Sequence, residues 1–292
     1  MPATFSTAIA GWYEAGHREL PWRADGYPAW GILISEFMLQ QTPVARVVPR
    51  LAEWLERWPT PAALAAVPPG EAVRAWGRLG YPRRALALHA AASAISAAHG
   101  NVVPRDVDAL LALPGVGPYT ARAVAAFAYG VRVPVVDINA RRVLTRALEG
   151  RGEPGPAQTR RELSLMESLL PADPARARIV NAGTMELGQT VCVPRAPRCD
   201  VCPIAGLCAW RAAGYPAYTG RPAPKQKKYE GSDRQVRGII LNELRAADTA
   251  IPVHAIAALW TDAVQLERAL EGLVRDGLVT RDAGRGYELP AA

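Results

Sequence analysis

Four cysteines, the only ones in the 292-residue chain, fall in one short run as Cys192-x6-Cys199-x2-Cys202-x5-Cys208. The N-terminus shows no basic patch followed by an apolar run, and no stretch is apolar for long enough to span a bilayer. The chain is therefore expected in the cytoplasm, associated with the nucleoid and not with a membrane. In a reducing compartment, clustered cysteines signal metal or redox chemistry and not structural disulfides. Structural zinc usually takes two close pairs separated by a longer spacer. A single asymmetric loop suits a [4Fe-4S] cluster held by four thiolates. The fold must then bring one loop around a cubane, and Arg195 and Arg198, inside the first interval, would be carried toward phosphates.

The rest of the chain reads as helical. Through residue 210, apolar residues recur at helical spacing and Pro or Gly punctuates the segments, at Pro21, Pro28, Pro43, Pro59, Pro68-Pro69, Gly80, Gly100, Pro104 and Pro114. Val131–Val136 is β-branched but short and broken by Pro134, which predicts an extended connector. Gly150–Pro156 predicts a loop. Gly214–Tyr229, rich in Pro, Gly and basic residues, predicts a linker. Beyond it the pattern changes: helices over Arg234–Arg245, Val253–Leu259 and Ala263–Arg275, then two short strands around a Gly-containing turn. That order is a winged-helix pattern. The formal net charge of +7 suits a polyanionic partner but equally fits a soluble basic protein.

Leu113-Pro114-Gly115-Val116-Gly117-Pro118-Tyr119-Thr120-Ala121 carries the next signal. A helix is expected to end at Leu113 and another to begin near Thr120, with Gly115 and Gly117 forming a tight hairpin between them. Closely spaced glycines turn backbone N–H groups toward a phosphate at a helix N-terminus.

Two carboxylates stand out. Glu36 lies in Trp30–Thr42, and its helical neighbours three and four residues away are Ile32, Leu33, Leu39 and Gln40. Three of the four are apolar, so Glu36 belongs to no polar stripe. A carboxyl held there is expected to keep its proton near neutral pH, as a general acid requires. Taken alone, it better fits a glutamate reaching water at the helix edge. Asp137 follows Val133-Pro134-Val135-Val136 and precedes a helix, where an aspartate is usually a cap. Paired, the two match the acid and ion-stabiliser of glycosidic bond cleavage.

These motifs occur together, and in this order, in the iron–sulfur branch of the helix-hairpin-helix DNA glycosylases, and the chain resembles most its MutY-type, adenine-removing members. The resemblance runs from about Trp12 to Trp210. It rests on Arg18-Glu19-Leu20-Pro21-Trp22-Arg23, SEFMLQQT at Ser35–Thr42, Leu79-Gly80-Tyr81, the Leu113–Ala121 hairpin, Asp137-x-Asn139, MELG at Met185–Gly188 and the cysteine loop. It implies an all-α, two-lobed core. Residues 1–23 would form an N-terminal helix packed on the cluster lobe, 24–132 a six-helix barrel with the hairpin, and 133–212 the cluster lobe. A linker over 213–230 would lead to the winged-helix-like segment at 231–292. Glu36 would protonate adenine and later help activate water. Asp137 would stabilise the oxocarbenium-like sugar, by charge or by transient covalent attachment, with Asn139 and Tyr119 aligning that centre. Arg18, Trp22 and Glu186 would surround the extruded adenine. Gln41 and Tyr81 would wedge into the base stack, and Thr42 would contact the orphan base.

Relatives that also cleave the strand use a hairpin lysine as a Schiff-base nucleophile. Tyr119 stands there, and no lysine precedes Lys225; the other two are Lys227 and Lys228. The expectation is a monofunctional hydrolase, acting as a monomer on double-stranded DNA bearing adenine opposite 8-oxoguanine or guanine. The chain is too short for the Nudix-like domain that ends typical MutY-type proteins, so its choice of opposite base stays open. Two alternatives also remain: a thymine–guanine mismatch glycosylase, which shares the hairpin tyrosine, and a non-catalytic iron–sulfur DNA-binding regulator.

Overall fold

The computed structural model describes residues 2–157, 159–220, 228–282 and 284–291; Lys225 and Lys227 lie outside them, as does the linker stretch 221–227. The helices run α1 (Pro2–Gly16), α2 (Ala29–Leu39), α3 (Val44–Arg57), α4 (Pro61–Ala65), α5 (Pro69–Trp76), α6 (Arg83–Ala98), α7 (Val107–Leu111), α8 (Pro118–Tyr129), α9 (Ile138–Glu149), α10 (Thr159–Leu169), α11 (Pro174–Thr190), α12 (Ala209–Ala212), α13 (Asp233–Ala246), α14 (Val253–Ala257) and α15 (Ala263–Arg275). The strands β1 (Thr280–Asp282) and β2 (Gly286–Glu288) pair antiparallel, with Arg281 opposite Tyr287. Among the described residues no helix is long and apolar enough to cross a membrane.

Contacts divide the chain into two units. One comprises residues 1–32, 105–108 and 117–224. Its core joins α1, α9, α10 and α11 through Phe5, Ile9, Val143, Leu144, Met166 and Val180. Two glycines set how closely these helices approach. A Cβ on Gly183 would stand 2.7 Å from Ile9 of α1, and one on Gly188 would stand 2.6 Å from the Asn139 carbonyl of α9. The connector 131–136 carries no helix or strand. Its backbone groups are satisfied by buried Asn181, which donates from Nδ2 to Val133 O at 2.9 Å and accepts from Val135 N at 2.9 Å.

The other unit comprises residues 33–104, 109–116 and 225–292. In α3 the buried residues Val47, Leu51 and Trp54 recur at helical spacing. Trp54 packs edge-on against Trp58 and Trp76, with centroids 4.8 and 5.6 Å apart. The segment after the linker belongs to this unit. Helix α13 packs on α15, and Ile251 exchanges both backbone hydrogen bonds with Tyr287, at 2.8 and 2.9 Å. The order of three helices followed by a hairpin agrees with the winged-helix pattern.

Helix ends differ from expectation by two residues at three places. α7 stops at Leu111 and α8 begins at Pro118. Proline fits the first helical position, where its missing N–H leaves no bond unmade, so it starts the helix two residues before Thr120. α14 ends at Ala257, not Leu259.

Candidate active site

Glu36 sits on a helix buried on every face. All residues from Trp30 to Met38 are buried, and Glu36 itself is 7% exposed. This removes the reading of a glutamate reaching water from a helix edge. A helix that is apolar all round has no solvent stripe on which to place a carboxylate. Gly115 packs against the same helix. Its φ is +74°, and an added Cβ would lie 2.6 Å from Ala87 Cβ and 3.1 Å from Phe37 Cε1. Gly117 differs: its φ is −91°, it caps α8 without a side chain, and nothing lies within 4 Å of where its Cβ would be.

Past α2 the chain turns through Gln41 (φ +55°) and Thr42, and beyond α5 it turns again at Tyr81 (φ +47°). The Tyr81 hydroxyl donates to Gln41 Oε1 at 2.5 Å, and both side chains are exposed. Thr42 is buried, with Oγ1 3.2 Å from the Leu79 carbonyl. One residue that the sequence reading missed joins these parts. Arg84 donates to the α2 carbonyls of Phe37 (2.9 Å) and Met38 (3.3 Å), and to that of Gln40. It also donates to Gly80 O at 3.0 Å and Thr42 Oγ1 at 3.3 Å, and lies over the rings of Trp76 and Tyr81. It thus caps the orphan carbonyls that end α2.

In the first unit, Asp137 caps α9, accepting from Ala140 N at 2.6 Å through Oδ1. Its Oδ2 accepts from Asn139 Nδ2 at 2.6 Å. Asn139 Oδ1 in turn accepts from Arg142, which is 4% exposed and also donates to the carbonyls of Cys192 (2.7 Å) and Gly188 (2.6 Å). Burial pushes the Asp137 carboxyl above its usual range, against the Ala140 and Asn139 hydrogen bonds and the charge of Arg142. The environment at this helix N-terminus is therefore set by desolvation first and by the cap second. Tyr119 packs against the apolar cluster of Ala123, Ala126 and Val135.

Arg18 and Glu186 meet as a fork. Arg18 Nε and Nη2 each lie 2.6 Å from a Glu186 oxygen, and Arg23 Nη2 adds a third contact at 2.7 Å. Burial alone would raise the Glu186 carboxyl, but the two guanidiniums outweigh it and hold it at about 2. Glu186 thus fixes Arg18, whose Nη2 also reaches Gln189 Oε1 at 2.6 Å. Arg23, which the sequence motif includes but gives no role of its own, is the third member. Trp22 lies half-buried in the 3₁₀ turn Pro21–Arg23.

The four cysteines line one pocket with Val143, Arg146, Ile204 and Trp210. Among the described residues no three His, Cys, Asp or Glu side chains gather around a single ion; the thiols stand around the pocket wall. Arg146 is buried there. It lies 3.5 Å from Cys192 Sγ, donates to Val193 O (2.8 Å) and Pro194 O (3.1 Å), and covers the Trp210 ring at 4.6 Å. Burial raises the Cys192 thiol, against Arg146, and pushes Cys202 up to about 11. Thiolates there need compensating charge, which iron supplies when bound. Four soft donors around an apolar pocket fit an iron–sulfur cluster. Arg195 and Arg198 are both exposed, and Arg198 donates through Nη2 to Thr190 O at 2.6 Å, at the end of α11.

Comparison with known proteins identifies the family. Residues 34–168 match the HhH-GPD superfamily of base excision DNA repair proteins, and residues 192–208 match the iron-sulfur binding domain of endonuclease III. The adenine DNA glycosylase of Mycolicibacterium smegmatis is 51% identical over 282 residues, covering 96% of this chain and 94% of that protein. The adenine DNA glycosylase of Mycobacterium tuberculosis is 50% identical over 285 residues, 97% of this chain and 93% of that protein. A thermostable thymine-DNA glycosylase structure superposes with a TM-score of 0.65 at 28% identity, covering 72% of this chain and 95% of that one. The cysteine loop accordingly holds a [4Fe-4S] cluster, and the chain belongs to the adenine DNA glycosylases of the HhH-GPD superfamily.

Proposed function

We propose that the chain removes adenine mispaired with 8-oxoguanine or guanine from duplex DNA, by hydrolysis and without lysine-dependent strand cleavage. The observation that carries the chemistry is Glu36, a carboxyl 7% exposed on a wholly buried helix. Its proton passes to a ring nitrogen of adenine as the bond from the sugar C1′ breaks and its electron pair leaves with the base. The cation left on the sugar is stabilised by Asp137. A carboxylate stripped of water, as burial makes it, attracts a nearby cation more strongly than a solvated one. Water then adds at C1′ and gives its proton to the Glu36 carboxylate, which restores the acid.

Other residues bind and orient. Arg18, held by Glu186 and Arg23, and Trp22 flank the extruded adenine. Gln41 and Tyr81 fill the gap it leaves, and Thr42 faces the orphan base. Gly117 leaves the backbone at the head of α8 open to a phosphate, and Arg195 adds charge beside the cluster loop. Lyase chemistry lacks its nucleophile, since Tyr119 occupies the hairpin position and no lysine precedes Lys225. The protein acts as a monomer on nucleoid DNA.

The test is a set of three duplexes, with adenine opposite 8-oxoguanine, adenine opposite guanine and thymine opposite guanine, each followed by hot alkali. Strand breaks at adenine are expected, and only after alkali. Breaks at thymine would support the second reading, which the likeness to a thymine-DNA glycosylase structure keeps in view. No break would leave a DNA-binding protein without this activity.

A further inference from the structure

The winged-helix-like segment lies in the same unit as α3 to α6, and two arginines lock it there reciprocally. Arg74 of α5 donates to the carbonyls of Arg245 and, at 2.9 Å, Ala247, where α13 ends. Arg245 donates to Val73 O, near the end of α5, at 2.9 Å. Each guanidinium caps carbonyls that the other helix leaves without a partner. At the start of α5, Gly70 N donates to Pro290 O at 2.8 Å, and a Cβ on Gly70 would stand 2.5 Å from that oxygen.

The loop leaving α5 carries Tyr81. Its Gly80 carbonyl accepts from Trp76 Nε1 at 2.9 Å and Arg84 Nη2 at 3.0 Å. The C-terminal segment holds residues on both sides of Tyr81. Asn242 Oδ1 of α13 accepts from Arg78 Nη2 at 3.2 Å. Asp276, at the end of α15, lies 3.6 Å from Arg83 and is itself fixed by Arg237 at 2.5 Å. Tyr81 and Gln41 both have positive φ, a backbone state that persists only where the surroundings impose it.

The third helix of a winged helix is the usual reader of DNA, yet here it offers phosphates little. Among its charged residues Glu267 and Glu271 offset Arg268 and Arg275, all four exposed, and Arg268 is paired with Asp233 at 2.8 Å. We propose that the C-terminal segment is instead a positioning element: Asn242 and Asp276 steady Arg78 and Arg83, and thereby hold Tyr81 against Gln41 in the conformation that enters the base stack. The inference rests on the wedge role given to Tyr81 above.

A double-mutant cycle on the full chain tests it. Single-turnover excision from an adenine–8-oxoguanine duplex is measured for Asn242→Ala/Asp276→Ala, for Tyr81→Ala and for the triple variant, with melting curves confirming that each folds. Asn242→Ala alone, which alters one exposed side chain, serves as a milder arm. The paired substitution, which also removes the Arg237–Asp276 pair, is expected to slow excision about threefold to tenfold, the range for a few surface contacts, and to have no further effect once Tyr81 is alanine. An equal slowing in both backgrounds, or none when Tyr81 is present, overturns the proposal. A Tyr81→Ala protein as active as the parent removes the wedge reading itself, and the proposal with it.

Discussion

Asn139 donates to Asp137 Oδ2 at 2.6 Å while its own Oδ1 accepts from Arg142 at 2.9 Å. Its amide is thereby oriented: the oxygen must face the guanidinium, so the NH₂ group faces the carboxylate. Arg142 takes its place from the Cys192 and Gly188 carbonyls. The cysteine loop and Asp137 are therefore joined by two residues, and the loop's conformation bears on where that carboxylate points.

Asn139→Ala removes one of the hydrogen bonds that oppose the burial-driven rise of Asp137. Its carboxyl should then take up a proton at still higher pH. In the proposed mechanism the ionised form stabilises the sugar cation, so the acid limb of the single-turnover pH profile is expected to move upward. Excision at neutral pH should fall about tenfold to a hundredfold, the range for a hydrogen bond to a charged group. A fall of equal size at every pH would assign Asn139 to alignment alone.

Glu36→Gln keeps the shape of the side chain and removes its acidic proton. Glu36 is the one carboxyl on α2, so no neighbour on that helix can take over as the acid. Single-turnover excision is expected to fall by about two to four orders of magnitude, while binding to the mismatch, measured by fluorescence anisotropy, stays within about threefold. Retained excision would move the acid role to another group.

Much of this site was legible because it is written in local patterns. The cysteine interval, the glycine pair and the apolar surroundings of Glu36 are properties of single segments, and the winged-helix order follows from successive periodicities. What escaped was long-range. Arg84 collects carbonyls from a segment more than forty residues away, Arg142 reaches Cys192, and Arg23 meets Glu186. An arginine in an arginine-rich chain carries no mark of burial, since its role depends on which carbonyls the fold leaves unpaired. The same limit applies to the segment after the linker, whose attachment to α5 no local pattern announces.

Glu186 should make the fold sensitive to acid. Its carboxyl is held at about 2 in the native protein against an ordinary 4.5, so between these values the unfolded chain binds more protons than the native one. Its stabilisation is complete above pH 4.5 and is lost as pH falls toward 2. The full linkage is about 3 kcal/mol, reduced to roughly 1–2 kcal/mol because Arg18 is partly exposed and solvent screens the pair. Glu186→Gln is expected to be less stable than the parent at pH 7 by about that amount, with the gap narrowing by pH 3. Comparing the two proteins at each pH cancels any acid effect on the cysteine loop, which both share. A gap independent of pH would mean that the loss comes from packing and not from charge.

The two hairpin glycines should separate folding from DNA binding. Gly115 has a φ of +74° and no room for a Cβ, which would meet Ala87 Cβ at 2.6 Å. Ala87 is part of a helix and cannot rotate away, so Gly115→Ala must shift backbone. The expected cost is about 2–4 kcal/mol, from the left-handed conformation and from overpacking together. Gly117 has an ordinary φ of −91° and open space where its side chain would be. Gly117→Ala should leave the melting temperature unchanged or slightly raised, since a less flexible unfolded chain is less favoured. Its Cβ would nevertheless stand in the path of a phosphate approaching the head of α8. Affinity for duplex DNA is expected to drop about tenfold, and by the same factor for matched and mismatched sequences, because a backbone contact carries no base information. If Gly117→Ala binds DNA as tightly as the parent, the phosphate lies elsewhere and the second glycine serves only the turn.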